Sequence, residues 1–272
     1  MFSLDSFQTV QSESSSKGNQ RKFYKDGYWV KLDSEHCCQG LAEDFVSQIE
    51  RCISGFNFVP YKSLQVSYRD NMYNACLCKN MYNQDVQFIS LRSLFKQNKI
   101  PLNTFIKYDD IKDNIKAVVE KVYILTDLNL LEYFRDLLFL DALILNEDRH
   151  YMNLGVCYYG EKYYIAPCFD NGSSLFCVDW TYRKRKSLEE NIEFAKSVAR
   201  PFSKFYDKQI SAFLELGVAP LRINRVALNW LLQNYTNELY SEQQVLLVKS
   251  VLYNRLNYYN GDGKFGGLYY YV

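Results

Sequence analysis

The sequence predicts an α+β fold of two lobes, with a sheet-rich amino-terminal half and a mostly helical carboxy-terminal half. The chain has 272 residues, enough for two lobes with a cleft between them. Before Leu91, short runs of alternating aromatic and polar residues are separated by turns, and after Leu91 the helical period dominates. We therefore predict a polar leader over 1–20, an amino-terminal lobe over 21–95 and a carboxy-terminal lobe over 96–272.

Composition narrows the class of protein. Hydrophobic residues are 48% and aromatic residues 17%, which is ample material for a globular core. Lys+Arg 32 nearly balance Asp+Glu 31, so no nucleic-acid partner is predicted. The eight cysteines lack the spacing of zinc ligands and are expected to be buried free thiols. No secretory signal or membrane span is recognisable, and the expected location is the reducing cytosol.

The first segment is polar and ends in a glycine-containing stretch. Residues Ser14–Asn19 read Ser-Ser-Ser-Lys-Gly-Asn, and Ser16 and Gly18 are candidates to bind nucleotide phosphates through backbone N–H groups. The stretch lacks the repeated glycines of a protein-kinase loop and the Gly-Lys-Ser/Thr ending of a Walker A motif. A disordered leader is the alternative.

A β-hairpin and a helix follow. Asp26-Gly27 separates two alternating aromatic runs, which is a strong hairpin signal and puts Lys31 on the second strand. Apolar residues at four-residue steps then predict an amphipathic helix over 39–53. Glu43 falls on the flank of this helix, a position that suits either a cleft edge or solvent, and Glu35 and Glu50 are possible substitutes.

Further elements are assigned in the same way. Strands are predicted over 56–68, 73–78 and 86–90, and weak helical patterns over 91–97 and 111–125. A strong pattern over 127–146 predicts a buried core helix, because its charged residues interrupt any run long enough to cross a bilayer. The basic run at Tyr182–Lys186 is either a solvated loop or a surface for an acidic acceptor.

Two motifs carry the chemistry. The core helix is followed by Asn-Glu-Asp-Arg-His-Tyr-Met-Asn-Leu-Gly, in which Asp148 and Asn153 lie five positions apart. Asp170 comes after a short strand, in Phe-Asp-Asn-Gly. Phosphoryl transfer needs a carboxylate to orient the acceptor hydroxyl and oxygen ligands to hold magnesium. The three side chains match that need, although polar loops after helices and Asn-Gly turns also occur without any catalytic role.

With these residues in place, the chain resembles the HipA-like serine/threonine kinases, including the short CtkA-type members. The resemblance rests on Asn-x-Asp-Arg-His-x-x-Asn at 146–153 and Phe-Asp-Asn-Gly-Ser-Ser at 169–174, with Trp-Val-Lys at 29–31 and Ala-Arg-Pro-Phe at 199–202. The catalytic loop is also similar to that of phosphoinositide kinases. The resemblance implies a bilobal protein-kinase-like fold.

The family resemblance also implies a role for each candidate site residue. Asp148 would be the catalytic base, Asn153 and Asp170 would bind Mg²⁺, and Lys31, paired with Glu43, would contact the phosphates of ATP. The implied substrate is a protein with a serine or threonine acceptor. The alternatives are a phosphoinositide-type lipid kinase and a non-catalytic pseudokinase or interaction module.

Family members also phosphorylate their own serines. Ser14, Ser15 and Ser16 are therefore expected self-modification sites, because an added phosphate would rearrange a loop that holds nucleotide phosphates.

Overall fold

A six-stranded sheet forms the amino-terminal lobe in the computed structural model, which describes residues 2–10, 20–81, 85–102, 110–195, 198–261, 265, 267 and 269–271. Neighbouring strands are antiparallel, except that the first strand runs parallel to its partner. In spatial order the strands are β1 (Phe2–Ser3), β5 (Tyr61–Tyr68), β6 (Asn71–Lys79), β4 (Tyr28–Leu32), β3 (Lys22–Lys25) and β2 (Gln8–Val10).

The predicted hairpin is confirmed as the pair β3–β4. Its turn residues Asp26 and Gly27 have φ values of 50° and 81°. Two consecutive residues in the left-handed region form the turn whose twist matches that of the flanking strands. The register pairs Lys22 with Lys31, so Lys31 lies on the second strand as predicted.

Residues 2–10 differ from the predicted leader. The strands β1 and β2 belong to the sheet, and between them Leu4 is completely buried with Phe7 packed beside it. These apolar side chains cover one face of the sheet, and this burial favours order in a segment that is otherwise polar. Ser16 and Gly18 lie outside the described residues.

The helix α1 (Gln39–Glu50) is buried at every position except Gln48. It packs on β5 and β6, and its Phe45 ring lies 4.7 Å from the ring of Tyr235 in the carboxy-terminal half. The helix ends one turn before the predicted limit, and Ile53 instead forms an isolated bridge with Ile223. Contacts on several sides therefore hold α1 in place.

A second sheet has three antiparallel strands, β7 (Gln87–Ser90), β8 (Gly155–Tyr159) and β9 (Lys162–Ile165). Gly155 allows the close approach of β7, because a Cβ atom there would lie 2.5 Å from the carbonyl oxygen of Ile89. The sequence grouped β7 with the amino-terminal strands, whereas its partner is β8. The division of the chain near residue 95 remains a prediction.

The carboxy-terminal part is mainly helical and packs around α4 (Leu131–Ile144), ten of whose fourteen residues are buried. It also contains a small parallel pair of strands. Within the described ranges, no helix combines the length and apolar character needed to cross a bilayer. All eight cysteines are free thiols, and seven of them are buried. The elements are α2 (Leu91–Gln97), α3 (Ile111–Thr126), α4 (Leu131–Ile144), α5 (Trp180–Arg183), α6 (Leu188–Ala195), α7 (Tyr206–Glu215), β10 (Arg222–Ile223), α8 (Arg225–Asn234), α9 (Glu242–Asn260) and β11 (Tyr270–Tyr271).

Candidate functional site

Lys31 lies at the centre of the candidate site. Its Nζ atom is 2.9 Å from Glu43 Oε1 on α1 and 2.6 Å from Asp170 Oδ1 in the loop after β9. It also lies 4.6 Å from the centre of the Tyr61 ring. The lysine and Glu43 are almost fully buried, while 29% of the Asp170 side chain is exposed. One cation therefore connects the sheet, α1 and the loop of the second motif.

The charges of this cluster stabilise one another. Burial by itself would lower the pKa of Lys31, but the carboxylates of Asp170 and Glu43 outweigh it and raise that pKa well above its usual value. Burial likewise opposes the charge of Asp170, yet Lys31, followed by Lys22, lowers the pKa of this carboxyl. Burial raises the pKa of Glu43 against the effect of Lys31. Asp170 is thus an ionised carboxylate at neutral pH.

Asp170 is also connected to the loop of the first motif. Asn153 donates from Nδ2 to Asp170 Oδ2 at 3.0 Å, and its Oδ1 accepts the backbone N–H of His150 at 3.3 Å. Asp170 has a φ of 62°, a left-handed conformation that Asp tolerates better than most residues. The left-handed residue of this loop is therefore Asp170 itself, and the turn that contains Gly172 follows two residues later.

Gly172 serves close packing. A Cβ atom at this position would lie 3.3 Å from Gln39 Cβ and 3.6 Å from Glu43 Cγ. A side chain there would push the loop away from α1. The absence of a side chain keeps Asp170 within reach of Lys31.

Arg149 is completely buried beneath the two loops. It contacts both carboxylate oxygens of Asp141 on α4, each at 2.9 Å. It also donates to the Phe169 carbonyl at 2.8 Å and to Asn171 Oδ1 at 2.7 Å. Bidentate pairs of this kind fix the geometry of both partners. Arg149 thereby holds the loop of Asp148 and the loop of Asp170 together.

Asn171 extends this network to α1. Its backbone N–H donates to Glu43 Oε2 at 2.9 Å, and its side-chain amide donates to Glu50 Oε1 at 3.0 Å. Burial raises the pKa of Glu50 well above its usual value. The three candidate glutamates are thus distinguished: Glu43 contacts Lys31, Glu50 contacts Asn171, and Glu35 is exposed beside His36.

Asp148 lies in a loop held by several backbone contacts. Its N–H donates to Asn146 Oδ1 at 3.0 Å, and its carboxylate is 3.9 Å from His150 Nε2. The preceding residue, Glu147, donates its N–H to the Ser173 carbonyl at 3.0 Å. The Asp148 side chain retains 15% exposure. A carboxylate that is held and still accessible can orient a hydroxyl group.

Trp29 lies on the face of the amino-terminal sheet that borders the candidate site. It lies two residues before Lys31 on β4, so both side chains emerge from the same face of the sheet. Its indole packs with a small apolar cluster that includes Tyr61 and Phe169, and its Nε1 donates to Asn80 Oδ1 at 3.3 Å. This face of the sheet therefore presents an aromatic surface beside the ammonium group of Lys31.

The structure brings together Lys31, Glu43, Asn153 and Asp170, with the loop of Asp148 joined to them through Asn153 and Arg149. Their chemical roles remain predictions. Sequence reasoning singled out neither Trp29 nor Asn171 for a role of its own. The alternation of side chains along β4 was a usable signal for Trp29, whereas Asn171 follows Asp170 and carried no signal beyond a turn propensity.

The fold is shared with a known protein. The crystal structure of a Helicobacter pylori proinflammatory kinase, CtkA, matches with a TM-score of 0.63 over 94% of each chain, at 18% sequence identity. The fold is therefore the predicted one. A structure of the Shewanella oneidensis toxin–antitoxin proteins HipA and HipB with operator DNA also matches, with a TM-score of 0.48 and 13% identity over 91% of this chain and 65% of that chain. No protein-family model matches the sequence, and neither does any curated protein.

The match to CtkA extends over both lobes, because it covers nearly the whole of each chain. It confirms the bilobal α+β architecture and the resemblance to CtkA-type proteins at the level of the fold. At this identity, function has to be argued from the site.

Proposed function

We propose that the protein is an ATP- and magnesium-dependent serine/threonine protein kinase of the HipA-like type. The observation that carries the proposal is the pair of ion contacts made by Lys31, one to Glu43 on α1 and one to Asp170 in the loop after β9. This is the arrangement in which a kinase lysine contacts nucleotide phosphates beside a metal-binding aspartate.

In this proposal each side chain has one task. Asp148 orients the acceptor hydroxyl and takes its proton as the oxygen attacks the γ-phosphorus of ATP. The bond from that phosphorus to the β–γ bridging oxygen breaks, and ADP leaves. Lys31 binds the phosphates, and Glu43 holds the lysine in position. Trp29 packs against the adenine base.

The residues present suit a magnesium ion. The Asp170 carboxylate is ionised and partly exposed, and Asn153 lies beside it, where a turn of its amide would offer Oδ1 in place of the Nδ2 that now donates to Asp170. Asp and Asn oxygens, completed by phosphate oxygens and water, are the ligands that Mg²⁺ prefers. Asn153 and Asp170 would hold the ion, and a bound magnesium ion would neutralise charge on the phosphates.

The test is incubation of the purified protein with labelled ATP and magnesium. The acceptors are a mixture of proteins and, in a parallel reaction, vesicles containing phosphoinositides. We expect label on protein serine or threonine, and we expect its loss in Asp148→Ala although nucleotide binding persists. Asp170→Ala should weaken the binding of Mg–ATP as well. Equal turnover in Asp148→Ala would contradict the assignment.

The same experiment separates the alternatives. Label on lipid with little on protein would indicate a lipid kinase, and ATP binding without turnover would indicate a pseudokinase. The intact set of Asp148, Asn153 and Asp170 favours a catalytic protein.

The proposal also includes autophosphorylation and a cytoplasmic location. The expected sites Ser14, Ser15 and Ser16 lie outside the described residues, and phosphopeptide mapping after incubation with ATP tests them. A map without any modification in residues 1–20 would remove this part. The eight free thiols are compatible with the reducing cytosol.

A further inference from the structure

A basic segment, defined here as residues 182–186, follows the loop of Asp170. It has the sequence Tyr-Arg-Lys-Arg-Lys and overlaps the end of α5. Its sequence is compatible with a solvated loop and with a surface for an acidic acceptor. The protein as a whole carries a formal charge of only +1, so this concentration of cations is local.

One residue of the segment is buried and anchored next to the catalytic loop. Arg183 is 5% exposed, and its Nη2 atom donates to Glu147 Oε1 at 2.6 Å. Glu147 directly precedes Asp148. The guanidinium also lies 5.0 Å from the centre of the Phe176 ring and 4.8 Å from that of Phe194. The basic segment is thus fixed close to the proposed catalytic base.

The neighbouring cations face solvent. Lys184 and Arg185 are exposed, and in the part of the chain that the structure describes neither pairs with a carboxylate. Lys186 behaves differently: it lies 5.1 Å from the centre of the Tyr182 ring and helps to lower the pKa of the Glu190 carboxyl, after the larger effect of the Ser187 N–H. Lys184 and Arg185 are therefore the two cations left for a ligand.

We propose that Lys184 and Arg185 form a docking surface for acidic side chains of the peptide that carries the acceptor serine or threonine. The inference rests on the proposed kinase function and names its substrate class. An extended peptide advances roughly 3.3 Å per residue. A peptide whose hydroxyl is at Asp148 therefore brings residues a few positions away to the segment anchored at Glu147. The exposed pair would attract Asp or Glu there and would not attract Lys or Arg.

The test compares two serine-containing peptides, identical except that one has Asp and Glu beside the serine and the other has Asn and Gln. The wild-type protein should phosphorylate both peptides, and its KM should be lower for the acidic peptide than for the neutral one. The double substitution K184E/R185E should raise the KM for the acidic peptide by about tenfold, because two attractions become repulsions. The ratio of kcat/KM for the acidic over the neutral peptide should fall accordingly, and about 0.5 M salt should also reduce the ratio in wild type.

A matched control separates local from overall charge. Lys62 and Lys116 are exposed, on β5 and α3 respectively, and K62E/K116E changes the net charge by the same amount. This control should keep the wild-type preference for the acidic peptide. An equal loss in the control, or equal kinetics of both peptides with wild type, would overturn the proposal. Binding of phosphoinositide vesicles that depends on Lys184 and Arg185, without peptide preference, would assign the surface to a lipid headgroup and also overturn it.

Failure of the docking surface can be told apart from failure of the kinase function. Asp148-dependent transfer to both peptides at equal rates leaves the kinase standing and removes the surface. If wild type transfers no phosphate, the kinase proposal fails. In that case, fluorescence anisotropy of the labelled acidic peptide still measures whether its binding requires Lys184 and Arg185. Binding that is unchanged in K184E/R185E would rule out the docking surface as well.

Discussion

Replacing Asp33 by asparagine should change how the stability of the protein depends on pH. Asp33 follows β4 and accepts the N–H of Gly40 in α1 at 2.6 Å and the hydroxyl of Tyr240 at 2.9 Å. Burial raises the pKa of its carboxyl from 3.8 to about 6, although both hydrogen bonds oppose the rise. Asparagine has the same shape and can keep both contacts once the Tyr240 hydroxyl reorients.

The direction and size of the expected change in the free energy of unfolding follow from proton linkage. Between pH 3.8 and about 6 the folded protein holds a proton on Asp33 that the unfolded chain has lost. The corresponding stabilisation is complete below the lower value and is lost as pH rises through the upper one, a total of about 3 kcal/mol. From about pH 5 to about pH 7.5 the free energy of unfolding of Asp33→Asn should therefore gain about 1.4 kcal/mol relative to wild type.

Urea unfolding followed by tryptophan fluorescence at several pH values measures this difference. Asp26→Asn is the control, because it removes one negative charge from an exposed turn. Its difference from wild type should show no comparable trend. A flat curve for Asp33→Asn, or one that falls as pH rises, would refute the reasoning that burial dominates the titration of Asp33.

Three further substitutions test the site. Glu43→Gln should raise the KM for ATP by about tenfold in steady-state assays, because the amide still contacts Lys31 but no longer balances its charge. Asn171→Ala should lower the free energy of unfolding by about 3 kcal/mol in urea titrations, because it leaves the buried Glu50 and other partners without their hydrogen bonds. Trp29→Phe should remove most of the change in intrinsic fluorescence that a non-hydrolysable ATP analogue causes in wild type. An unchanged KM, an unchanged unfolding midpoint or an undiminished fluorescence change would count against the respective contact.

The local sequence pattern was sufficient to predict several elements of secondary structure. The Asp26-Gly27 turn and the alternation beside it predicted the hairpin and the place of Lys31, because turn geometry depends on residues that are adjacent in the chain. The spacing of apolar residues predicted α1 for the same reason. The pattern did not predict β1 and β2, since their order depends on the burial of Leu4 against distant strands.

The choice among the acidic residues of α1 shows the limit of such patterns. Glu43 and Glu50 are seven positions apart and share a face of the helix, so periodicity treats them alike. Which of them meets Lys31 depends on where β4 passes the helix, and on a loop containing Asp170 that comes from far along the chain. Asn171, the next residue of that loop, contacts both glutamates.

Sequence pattern alone identified the side chains of the proposed phosphoryl transfer, the hairpin that carries Lys31 and the succession of sheet and helices. The folded chain was needed to show that Lys31 meets Glu43 and Asp170, 12 and 139 residues away, and that Arg183 is buried inside a basic run. Backbone propensities act between near neighbours and therefore cannot specify such contacts. Desolvation and charge pairing depend on which distant segments close around a side chain.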